Sequence, residues 1–120
     1  MAVKNLFVTK FYREPIGGKN IEELRDDLRD CCYLMAEEDE AGINWCEENH
    51  YRGYTSYASL NDLDTRFSPF AELKKRMDKH VAKFAQECHF DLNGRKLVLD
   101  AFWVNILPPL SFHSSHIHPH

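Results

Sequence analysis

Residues 97–107, Leu-Val-Leu-Asp-Ala-Phe-Trp-Val-Asn-Ile-Leu, are apolar on both faces of an extended chain, with only Asp100 and Asn105 polar. Alternate side chains of a β-strand point to opposite sides, so such a run is sheltered only between two covering layers. Its backbone groups also require neighbouring strands along both edges. This stretch therefore predicts a central, buried strand over 95–107. Pro108-Pro109 breaks it, and Leu110–His118 is expected as the next strand.

The elements before it read mostly as helix. Asn20 followed by Glu23 makes a capping-box pattern, and Ile21, Leu24, Leu28, Cys31/Cys32 and Met35 trace one apolar face at helical spacing. The acidic run Glu37-Glu38-Asp39-Glu40 is unfavourable at a helix C-terminus, so fraying is expected there, before Gly42. A second helix over 69–89 has Ser68 as its cap and Pro69 in its first turn. Its stripe is Phe70, Leu73, Met77, Val81, Phe84 and Cys88, which predicts packing against the sheet. Residues 4–12 read as a short strand ended by Pro15 and Gly17-Gly18. The stretch from Ile43 to Asp64 is the least regular, with a short strand expected within Tyr54–Ser59. Asp91-Leu-Asn93-Gly94 supplies the turn into the strand at 95–107.

The order strand, helix, irregular segment, helix, strand, strand is an α+β arrangement in one domain spanning 1–120. Residues 1–92 form a strand and helical preamble, and 93–120 the opening strands of a sheet. A hydrophobic fraction of 43% with 28% charged residues is that of a globular chain. The net charge of -4 argues against a nucleic-acid partner, and Asp78 and Glu72 break up the cluster Lys74, Lys75, Arg76, Lys79. No apolar run reaches the roughly 18 residues of a membrane span. The start of the chain has no signal-peptide core, so a cytoplasmic location is expected. Cysteines 31, 32, 46 and 88 contain no C-x-x-C, which argues against a disulfide framework or a thiolate zinc site. A long apolar strand short of neighbours also predicts self-association through its unpaired edge.

Four of the seven histidines, His113, His116, His118 and His120, fall in the last eight residues. Period-two alternation carries His116 and His118 to one side of an extended segment, where two imidazoles make half of a metal site. The alternatives are a solvated His-rich terminus that picks up metal opportunistically, or a tag, against which the interrupting Ser, Ile and Pro argue. Other candidates are weaker. Cys46 near His50 is a common coincidence of spacing, and Glu37–Glu40 reads as a solvated run rather than paired catalytic carboxylates. His80 reads as packed or surface, and His89 meets the negative end of its helix. Tyr54 and Tyr57 are more often core than substrate platform.

Trp103-Val-Asn105-Ile-Leu-Pro108, followed by His113-Ser-Ser-His116-Ile-His118-Pro119-His120, resembles the 2-oxoglutarate- and Fe(II)-dependent oxygenases of bacteria and phages. Leu6–Thr9, Asp39–Gly42 with Trp45, Gly53–Leu60, His80-Val81 and Phe90–Leu92 extend the likeness over essentially the whole chain. Its most specific stretches are Gly53–Leu60 and Trp103–His120. The resemblance implies a jelly-roll, or double-stranded β-helix, preceded by helices, so that 93–120 would be its first barrel strands. It also implies oxidative, hydroxylase-type enzymatic chemistry on an unknown small-molecule or peptide substrate. In that family an H-x-D/E pair and a distal His hold Fe(II), 2-oxoglutarate chelates the iron, and a basic residue near the distal His pairs with its far carboxylate. By position His116 matches the first ligand and His118 stands where a carboxylate is usual, similar to the H-x-H-P of this subgroup. The distal His and the basic residue have no counterpart up to His120, so an incomplete barrel, inactive alone, is expected. The competing expectations are a metal-binding or complementation half that pairs with another chain, and a structural remnant without catalysis.

Overall fold

The computed structural model describes residues 2–4, 6 and 8–113. Its elements are α1 (Ile21–Glu38), α2 (Glu40–Glu48), β1 (Tyr54–Thr55), α3 (Leu63–Arg66), α4 (Ser68–Glu87) and β2 (Asn105–Ile106). Helices with a small two-stranded sheet make the fold α+β. The strands pair antiparallel, Tyr54 opposite Ile106 and Thr55 opposite Asn105. Ser56 N–H donates to the Val104 carbonyl at 3.0 Å, and a single parallel bridge joins Asp62 to Phe102.

The core lies where α1, α3, α4 and this sheet meet. Met35, Tyr54, Leu63 and Phe70 are its buried centre, with Leu28, Cys31, Ile43, Leu60, Phe102 and Val104 packed around it. Leu63 is 0% exposed although α3 has only four residues. Asp62 accepts from Thr65 Oγ1 through its carbonyl and pairs with Arg66, holding that turn together. Phe70 meets Phe102 edge-on, with centroids 5.3 Å apart at 87°, the arrangement the ring quadrupoles favour.

Several expectations are corrected. The strand over 95–107 shortens to Asn105–Ile106, and Val98 is 73% exposed. Among the described residues 96–101 make no backbone hydrogen bonds, because no second strand lies beside them. The radius of gyration, 17.9 Å, exceeds the roughly 14 Å of a compact 120-residue domain, as fits segments lying outside the core. The strand over 4–12 is absent among its described residues for the same reason, and Phe11 is left exposed. That N-terminal segment is instead strapped to α4. Arg76 donates to the Gly17 and Lys19 carbonyls at 2.9 and 2.6 Å, and Tyr12 Oη shares a 2.7 Å hydrogen bond with His80 Nδ1.

The helices differ in detail too. Asn20 makes no side-chain cap and sits at φ 56°, where Asn is tolerated and lets the chain turn into α1. Helix α4 begins one residue earlier than expected, with Phe67 as its cap residue. Only the front of its stripe is buried. Leu73, Met77 and Phe84 are half-buried, and Val81 is 39% exposed over a groove to residues 97–101. The acidic run ends α1 at Glu38, but the chain resumes at once as α2. The expected turn does form, with Asn93 and Gly94 both at positive φ and Asp91 Oδ1 accepting from Asn93 N–H. Leu110–His113 is not a strand, and Leu110 has φ 66°. All four cysteines are free thiols. No described helix is long and apolar enough to cross a membrane.

Candidate functional site

Of the two stretches on which the resemblance is most specific, Gly53–Leu60 and Trp103–His120, the first and the described part of the second are laced together side by side. Besides the β1–β2 pairing, Thr55 Oγ1 donates to Asn105 Oδ1 at 2.6 Å and Val104 N–H donates to Ser56 Oγ at 3.1 Å. Thr55 and Ser56 are buried polar residues, and these bonds satisfy their hydroxyls. The close approach depends on Gly53, at φ 102°. A Cβ there would fall on the Ile106 carbonyl oxygen and press on Pro108.

Beneath this pairing lies Asp39, the residue between α1 and α2. Its carboxylate accepts from Gly42 N–H at 3.1 Å, from Tyr54 Oη at 2.7 Å and from Ser59 Oγ. Burial pushes its pKa upward, but the hydrogen bonds from Ser59, Tyr54 and Gly42 and the charge of Arg66 outweigh it and hold the carboxyl below its ordinary range. Burial and the bond to Asp39 push the Tyr54 phenol far upward, so it stays a donor. A carboxylate so fully engaged is a poor base. It positions β1 against α2, and Gly42 is needed because a Cβ there would fall on Asp39 Oδ2 and Ser59 Oγ. The sequence reading missed this role; the signal was an Asp three residues before a Gly, an Asx cap for a new helix.

A pH dependence follows. Asp39 contributes stability that is present above the ordinary carboxylate pKa of 3.8 and is lost as pH falls through its lower folded value. An acid titration followed by circular dichroism should show a transition below that value, and Asp39→Asn should flatten it. Identical acid transitions in both proteins would rule this role out.

Next to the laced strands runs a chain of aromatic contacts. Trp103 meets Tyr57 at 5.1 Å, Tyr57 meets Trp45 at 6.2 Å, Trp45 meets Tyr51 at 6.3 Å and Tyr51 meets His113 at 5.6 Å. Tyr51 Oη also shares a 2.8 Å hydrogen bond with His113 Nε2. Tyr54 is core, as expected, whereas Tyr57 is half-exposed and belongs to this aromatic row.

The expected metal ligands, His116 and His118, lie outside the described residues, as does His120. His113 is the last described residue, and it is held by Tyr51. Among the described residues no group of three or more His, Cys, Asp and Glu side chains could hold a metal ion. Cys46 and His50 are not a pair: the Cys46 thiol is buried against Thr55, whose N–H reaches its sulfur at 3.4 Å. Glu37 and Glu38 are exposed, so of the acidic run only Asp39 is drawn inward. Compared with protein-family models and with curated proteins, the chain matches none.

Proposed function

We propose that this chain carries the helical preamble and first barrel strands of a 2-oxoglutarate- and Fe(II)-dependent oxygenase of the jelly-roll class. What supports this reading is that the two stretches on which the resemblance is most specific, Gly53–Leu60 and Trp103 onward, are hydrogen-bonded to one another. Separated by some fifty residues in the chain, they are held together as one unit. His116 and His118 would hold the metal. The donor set fits Fe(II), since imidazole is a good ligand for iron and two leave positions open for others. Bound iron would supply oxidising chemistry. Tyr51 holds His113, three residues before His116 in the chain, and the Asp39 hub holds the strand bearing Tyr54.

A second reading is a module that adds its 96–101 segment to a strand of another chain, favoured by the unpaired backbone there. One calorimetric titration of the full chain with Co(II), a surrogate for Fe(II), separates the two. On the oxygenase reading, His116→Ala and His118→Ala each weaken binding by more than about tenfold, while His120→Ala barely changes it. Binding also fails below about pH 6, where imidazole protonates. Equal losses for His116→Ala and His120→Ala would mean a nonspecific histidine cluster and overturn the assignment.

A further inference from the structure

Between the connection from α2 to β1 and the segment after β2 lies a cleft of about 520 Å³. Its walls include His50, Tyr51 and Arg52 on one side and Ser111, Phe112 and His113 on the other. Among the described residues no carboxylate lines it, in a chain whose acidic residues outnumber its basic ones. Arg52 makes no ion pair among the described residues. The Ser111 hydroxyl, fully shielded from solvent, has no hydrogen-bond partner among them. Shielded in this way, that hydroxyl is out of reach of a ligand in the cleft, and the donors the cleft itself presents are those of Arg52 and His50.

We propose that this cleft binds an oxyanion, a carboxylate or phosphate group carried on a small ligand with an apolar portion. The guanidinium of Arg52 matches the paired oxygens of either group, and the imidazole of His50 is an additional donor. The negative end of α2 points this way, which would oppose an anion, but its carbonyls are engaged. Trp45 O accepts from Asn49 N–H, Cys46 O from Tyr51 N–H and Glu47 O from His50 N–H. Exposed Phe112 and half-exposed Leu107 form an apolar wall for the rest of the ligand. This site requires no metal.

The test is calorimetric titration of the full chain with inorganic phosphate and, separately, with benzoate, in EDTA and at constant ionic strength. Fluorescence of Trp45, which packs on Tyr51, gives a second readout. Binding with a dissociation constant on the order of 1 mM is expected for at least one of them, as suits so small a probe. Arg52→Gln, a surface change, should weaken it about tenfold or more. Binding of phosphate alone assigns the phosphate source, and of benzoate alone the carboxylate. Binding of neither anion, or binding that Arg52→Gln leaves unchanged, overturns the proposal.

Discussion

Replacing Phe70 by Ala should lower the unfolding free energy by about 3–5 kcal/mol, a large share of a small domain's total stability. Phe70 is 2% exposed and lies in the cluster with Met35, Tyr54 and Leu63, its ring edge-on to Phe102. Its removal leaves a cavity at the junction of α4 with the bridge between Asp62 and Phe102, where rigid backbone on both sides limits collapse. Val81 belongs to the same sequence stripe yet faces the open groove, so Val81→Ala should cost less than about 1 kcal/mol. Urea denaturation followed by circular dichroism measures both. Comparable losses would mean that the whole stripe is buried and that the core described here is wrong.

Gly53→Ala should be nearly as damaging, for a different reason. At φ 102° any L side chain is strained, which costs about 1–3 kcal/mol. The added Cβ also falls on the Ile106 carbonyl oxygen, an atom of the partner strand that cannot swing aside, and such overpacking adds roughly 1–3 kcal/mol more. The change should unpair β1 from β2 before it unfolds the helices. Far-ultraviolet helical signal should persist while near-ultraviolet aromatic signal from the Trp45–Tyr57–Trp103 row weakens. Gly94→Ala is the control, because Gly94 has the same sign of φ but open space around it. If the Gly53 variant is no less stable than the Gly94 variant, the close approach of the strands is not what Gly53 provides.

The helical preamble was legible because helix formation is local. The stripe Leu24, Leu28, Met35 in α1 and the Pro69-Phe70 start of α4 set their own period and entry. The turn at Asn93-Gly94 was legible too, since few residues accept two successive positive φ values. By contrast, α2 carries only Gly42 and Cys46 as buried positions, too few to mark a face, and α3 is a single turn. Reading the acidic run as a solvated face hid Asp39, because the sequence does not show that Tyr54 and Ser59 fold back onto it.

By itself the sequence determined where the two long helices run, which residue types could bind a metal, and that Tyr54 belongs inside. It also placed His116 and His118 two residues apart, a spacing whose meaning depends on an extended backbone. Only the tertiary structure decided which apolar residues become core. Leu97 and Val98 have strand composition, yet a strand exists only where another backbone answers its hydrogen bonds, and among the described residues that partner is present for Asn105 and Ile106 but not for 96–101. Tertiary packing likewise turned Asp39 from one member of an acidic run into the acceptor for three donors, and brought Arg52, Tyr51 and Ser111 around one cleft. Helical periodicity is a property of neighbours in the chain, whereas pairing and burial are properties of residues fifty positions apart.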